Sequence, residues 1–286
     1  MTVRNPIEWG VDQLWQTASA VKSIGHAFHY PTEGSSPVLP EVQRIEVADL
    51  RDALAKGFSD FAAYRTDVIF ICLIYPLAGM VIANATMGSG LLPLVFPLVS
   101  GFALIGPFAA VGLYEMSRRR EQGAPVTWVD AFRVLSSPSL AAITELGVLL
   151  LGIFLLWLLT AMMIYQATLG PELPKSVMAF TTDVFTTRAG WALIVLGVGA
   201  GFLFALLVLA ITAVSFPLLL DRRVGVAVAV RTSVRAFLVN PGPMLVWGVI
   251  VAGSLVAGAI PLLVGLIVVM PVLGHATWHL YRKVVR

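Results

Sequence analysis

The chain has 286 residues, 58% of them hydrophobic and only 12% charged, with a mean hydropathy of +0.88. Soluble domains carry about 25% charged residues, so this composition excludes a soluble globular enzyme and makes lipid the solvent for much of the surface. The net charge of +3 does not point to nucleic acid, because the 19 Lys and Arg cluster at the ends of apolar runs, where membrane topology puts them.

Residues 1–30 read as an amphipathic arm on the cytoplasmic side. Ile7, Val11, Leu14, Ala18, Val21, Gly25 and Phe28 step by four and three, a heptad seam. One reading is a helix lying on the membrane, anchored by Trp9 and Trp15. The other is a docking helix for a partner. Glu8, Asp12, Gln13, Gln16 and Lys22 lie off the seam, and so few cations give little attraction to anionic lipid. No basic segment leads into an apolar core here, so no cleaved signal peptide is expected. Residues 31–45, beginning "PTEGSSPVLP", form a Pro/Ser/Gly linker. Residues 46–286 are the membrane domain.

Six apolar runs follow, at about 68–86, 91–116, 141–165, 190–219, 243–260 and 262–281. Each is near the roughly 20 residues that a helix needs to cross a bilayer. The last two are divided only by "AGAIP" (257–261), so one long kinked span competes with a hairpin. With six spans, 17 of the Lys and Arg fall on one side and two, Lys175 and Arg188, on the other. The positive-inside rule then makes both termini cytoplasmic.

A pattern recurs three times. Amphipathic segments at 47–61, 126–135 and 226–239 each precede a break ("YRTD", "SSPS", "NPGP") and a pair of runs. Their expected apolar faces are Val47, Leu50, Leu54, Phe58 and Phe61; then Trp128, Phe132 and Leu135; then Val230, Val234 and Phe237. The expected fold is an all-α polytopic bundle of six transmembrane helices in three elbow-plus-hairpin units. The elbows would lie in the headgroup plane, apolar face down.

Few residues offer chemistry. Cys72 is the only cysteine, so neither an intrachain disulfide nor a thiol metal cluster can form. No phosphate loop, HExxH or CxxC is present. Run two, with Pro93, Pro97 and Pro107, should kink, with neighbours such as Ser100 meeting the freed carbonyls. Glu145 is the one acid well inside an apolar run. It reads either as a coupling residue for a transported solute or as a structural contact, for example to Arg133. The outer stretch 176–190 reads as a short surface helix. Gly197 and Gly201 form a GxxxG pair suited to close helix packing, inside the bundle or against a partner.

His275 and His279, in "GHATWHLYRK" (274–283), share one helical face. They are candidates for metal or haem ligation. The alternative is the wet end of a membrane helix, with Trp278 and Tyr281 as its aromatic belt. No Asp or Glu in that run orients an imidazole.

The stretches "GPFAAVGLYEMSRRREQG" (106–123), "SFPLLLDRRVGVAVAVRTSVRAFLVNPGPM" (215–244) and "VMPVLGHATWHLYRK" (269–283) resemble an uncharacterised group of bacterial six-helix integral membrane proteins. The resemblance runs over about 40–286. It implies a bacterial inner-membrane protein without a settled activity. Some members carry a cytochrome c oxidase label, which is the reason to weigh haem ligands here. Few polar groups inside the spans, a packing glycine face and a detached heptad arm motivate the reading as a non-catalytic accessory or scaffold protein without a cofactor. Its partners would be membrane lipids and a larger complex or a second copy, with no nucleic acid. A transporter or channel working through Glu145 and a redox subunit ligating through His275 and His279 are the alternatives.

Overall fold

The computed structural model describes residues 39–72, 77, 79–81, 92–261 and 263–286. The arm, with Ile7, Val11, Leu14, Val21 and Phe28, lies outside the described residues, as does most of the first apolar run. Within them the secondary structure is helical, apart from one isolated antiparallel bridge between Val42 and Val285.

The helices are α1 (Val47–Cys72), α2 (Val95–Leu104), α3 (Gly106–Ala109), α4 (Val111–Glu121), α5 (Leu140–Thr168), α6 (Val177–Thr186), α7 (Arg188–Thr212), α8 (Ser215–Asp221), α9 (Val226–Val239), α10 (Pro241–Ala259) and α11 (Leu266–Val284). A 3₁₀ segment spans Trp128–Ser136. Among the described residues, three stretches are long and apolar enough to cross a membrane: Leu140–Thr168, Arg188–Asp221 and Pro241–Ala259.

The apolar runs map onto helices, with informative breaks. The second run is split into α2, α3 and α4, with Pro107 in the first turn of α3. Proline cannot donate to the preceding turn. The expected kink is present, and the Pro97 carbonyl accepts from Ser100 Oγ at 3.3 Å and from Trp157 Nε1 at 3.0 Å. The fourth run breaks at Ala213–Val214, just before Pro217. The stretch 243–281 forms two helices, not one. The turn between them holds Leu263 at φ 66°, a left-handed conformation that side chains seldom adopt. Gly258 and Gly265 meet there so closely that a Cβ on Gly265 would stand 2.7 Å from the Gly258 carbonyl.

The elbow segments form; of the expected first face Leu50 and Phe61 are buried and Leu54 is half-buried against the core. In α1, Val47 and Phe58 are exposed, whereas Leu50, Ala53, Gly57 and Asp60 are buried. That buried row, spaced three and four apart, packs on α11. A Cβ on Gly57 would stand 2.6 Å from the Ala276 amide, so the absence of a side chain sets the helix separation. Tyr64, at φ −122° and ψ 24°, ends this stretch of α1, within the expected break. The second elbow is a 3₁₀ helix, opened by a capping box between Thr127 and Asp130. Its Trp128, Phe132 and Leu135 all point outward. In α9 the buried row is Val226, Ala229, Thr232, Ser233 and Ala236, and Val230, Val234 and Phe237 are half-buried.

Candidate functional site

Every ion pair among the described residues falls within 49–60, 115–133, 221–222 or 279–283. These segments are the first part of α1, the end of α4 with the 3₁₀ helix, the end of α8 and the end of α11. They meet at one end of the molecule.

At its centre is Asp60, whose side chain is 7% exposed. Its Oδ2 accepts from Ser117 Oγ at 2.6 Å and from His279 Nε2 at 2.9 Å, and its Oδ1 accepts from Arg120 at 2.5 Å. Burial opposes the charge on this carboxylate, but the His279 and Ser117 hydrogen bonds outweigh it and hold the carboxyl below its usual range. Ser117 has one hydroxyl proton and gives it to Asp60. Its oxygen therefore accepts from His275 Nδ1 at 2.7 Å, which fixes the imidazole tautomer. The His275 Nε2 is then an unprotonated, buried nitrogen without a hydrogen-bond partner.

Around this centre, Lys283 bridges Asp49 and Asp52 at 2.9 and 3.0 Å. Arg282 reaches Glu121 at 3.1 Å and Asp221 at 3.5 Å. The Glu46 amide and the Lys283 ammonium hold Asp49 below its ordinary range, and the two aspartates in turn raise Lys283. Trp278 and Tyr281, expected as a lipid-facing belt, are fully buried. The indole donates to Glu121 at 3.1 Å and the phenol to Asp221 at 2.7 Å. Their polar tips face partners on α4 and α8, so the belt reading is corrected.

A second polar clamp closes the same end. Asn240, 3% exposed, accepts from the Ile45 amide at 2.8 Å and donates to the Gln43 carbonyl at 3.0 Å. Gln43 donates to the Val284 carbonyl, and Arg286 to that of Glu41. The last part of the 31–45 linker is thus docked between α9 and the end of α11.

His275 and His279 lie one turn apart on α11, as expected. One ring is spent on Ser117 and the other on Asp60. Among the described residues no three His, Cys, Asp or Glu side chains gather as a metal site.

Glu145 lies near the start of α5, and its buried Oε1 has no hydrogen-bond partner. Arg133 pairs with Asp130 at 2.6 Å instead. Gly201 packs against the Trp157 ring, where a Cβ would sit 3.2 Å from the indole, whereas Gly197 has open space beside it. The pair thus lies on one face of α7, with only its Gly201 end in close contact with α5.

The residue that sequence reasoning missed is Asp60. Its signal was the small-residue row Ala53–Gly57–Asp60, which marks a close helix contact more reliably than the large side chains beside it.

Long apolar helices capped by one charged end define this chain as a helical integral membrane protein. More narrowly, residues 95–221, from the start of α2 to the end of α8, match the family described as "Predicted integral membrane protein (DUF2189)", a domain of unknown function. That is less than the 40–286 over which the resemblance was read. No curated protein and no solved structure matches the chain.

Proposed function

We propose that the chain is a six-span accessory or scaffold protein of a bacterial inner membrane, built from three elbow-plus-hairpin units, with both termini in the cytoplasm. It would serve a larger respiratory or photosynthetic membrane complex and catalyse no reaction. The observation that carries this reading is the mutual hydrogen bonding of the buried cluster around Asp60. Asp60, Ser117, His275, His279 and Arg120 are occupied with one another, which suits a latch between helices more than a site awaiting substrate. Outside it, α5 and α7 turn Leu155, Met163, Val195, Phe202 and Leu203 outward, surface for lipid and for a partner's helices. The 17-to-2 division of Lys and Arg supports the orientation.

The test is purification of the tagged full chain in gentle detergent, beside a version lacking residues 1–40, with native mass measurement of each. A defined complex in fixed stoichiometry, lost with the arm while the melting temperature holds, supports the reading. A lone chain from both preparations overturns it.

One observation favours the transport alternative: the unpartnered carboxyl oxygen of Glu145 inside a span-length helix. Its test is solute flux into vesicles by the wild type and Glu145→Gln. Flux abolished by the substitution would establish that reading.

A further inference from the structure

A second recess lies on the same end, apart from the Asp60 cluster. Its volume is about 720 Å³, within the range of small-molecule sites, and it lies between α4, the 3₁₀ helix, the start of α5 and the end of α8. Five guanidinium groups line it: Arg118, Arg119, Arg133, Arg222 and Arg223.

Their local carboxylates do not balance them. Arg118 is held by Glu115 at 2.8 Å, and Arg133 by Asp130 at 2.6 Å. Arg119 stands 3.4 Å from the same Asp130, and its Nε makes no hydrogen bond. Arg222 is 3.9 Å from Asp221, which also serves Arg282. Arg223 makes no ion pair among the described residues. Five cations against three nearby acids leave an excess of two positive charges.

The wall of this recess is amphipathic. Val129 and Phe132 line it and are also exposed, and Trp128 and Leu135 extend the apolar edge outward. The floor opens on Ser139, where α5 begins without a side-chain cap. The dipole of a long helix favours an anion there. The recess thus joins a cationic cup to an apolar lip at the mouth of a span-length helix.

We propose that this recess binds the phosphate of an anionic phospholipid headgroup, with the acyl chains running down over Val129, Phe132 and Leu135. Guanidinium groups pair with phosphate oxygens through two parallel hydrogen bonds. Arg223, without an ion pair among the described residues, and Arg222, only distantly paired with Asp221, supply that pairing, while Arg118 and Arg133 are held by their own acids. A soluble phosphate would find the same cations but gain nothing from the lip. This inference stands apart from the scaffold reading, because a transporter could hold the same lipid.

The test titrates the delipidated full chain in detergent with dihexanoyl phosphatidylglycerol, dihexanoyl phosphatidylcholine and glycerol 1-phosphate, counting adducts by native mass spectrometry. The anionic lipid should bind one equivalent, about tenfold or more tighter than the zwitterionic one, the range expected of charged hydrogen bonds. Arg222→Gln with Arg223→Gln should remove that preference, and Lys175→Gln with Arg188→Gln, at the other end, should keep it. Arg223→Gln alone breaks no ion pair and should weaken binding in the same direction, so it decides the matter if the double variant folds poorly. Equal affinity for the two lipids, or an unchanged preference in Arg223→Gln, overturns the proposal. Glycerol 1-phosphate binding as tightly as the lipid overturns the lipid assignment in favour of a soluble anion.

Discussion

The charged end and the apolar sleeve of this molecule solve opposite problems. At the charged end, α1, α4, α8 and α11 bury Trp278, Tyr281 and Tyr114 almost completely and join every carboxylate there to a donor. In the sleeve, α5, α7 and α10 leave large side chains uncovered, and Val249 is 72% exposed. In a soluble protein that sleeve would be a fault; against lipid tails it costs nothing, since hydrocarbon is as apolar as leucine. Cohesion of the described helices therefore rests on the end where polar groups meet, and stability should be unevenly distributed.

The sharpest way to break that contrast is Asp60→Ala. It leaves Arg120, His279 and Ser117 facing a void, and removing one partner of a buried charged network costs on the order of 3–5 kcal/mol. Thermal melting in detergent should show a large drop or no folded protein. The same carboxylate sets a pH dependence. Its folded pKa lies below the ordinary 3.8, so its stabilisation is complete above that value and is lost as pH falls through the lower folded value. The difference in melting temperature between the wild type and Asp60→Asn should be constant above about pH 5 and shrink as the pH falls below about 4.

Next in size is Gly57→Leu, which drives a side chain into the Ala276 backbone. Overpacking of this kind costs about 1–3 kcal/mol, and the α1–α11 contact should loosen, exposing Arg51 and Lys56 to trypsin. Asn240→Ala removes the bonds to Ile45 and Gln43 and leaves a buried amide unpaired, at about 1–3 kcal/mol. Its readout is earlier cleavage at Arg44. The smallest effect belongs to the sleeve. Gly197→Ala enters open space and should shift the melting temperature little, within about 0.5 kcal/mol. A large loss there would show that this face of α7 is covered by something the charged end does not reveal.

How legible each region was in the sequence follows the same division. Span-length apolar runs announce the sleeve directly: 141–165 became α5, and 190–219 became α7 with α8 after a proline-linked break. The charged end was harder, because its logic is long-range. His275 and His279 were visible as a pair, but the carboxylate that holds His279 lies 219 residues away on α1. No local pattern links them. In the first elbow Leu50 and Phe61 of the expected apolar face are buried, but Val47 and Phe58 are exposed. Ala53 and Gly57 were buried instead, since a close crossing between helices admits only small residues. Trp278 and Tyr281 read as a belt by residue type, because only their distant partners Glu121 and Asp221 show that they are interior.

The pairing of α1 with α11 also sets a clock on biogenesis. Asp60 emerges from the ribosome 219 residues before His279. At roughly 5–20 residues per second, that is a wait on the order of 10–40 s. During that time α1 carries a carboxylate and a groove of small residues without the helix that fills it. The intermediate helices must insert around an unfinished first contact, and the latch can close only when the residues of α11 have left the exit tunnel. Chain order thus makes the most polar junction of the protein the last to form, so a nascent chain stalled before α11 would be a substrate for quality control rather than a smaller folded protein.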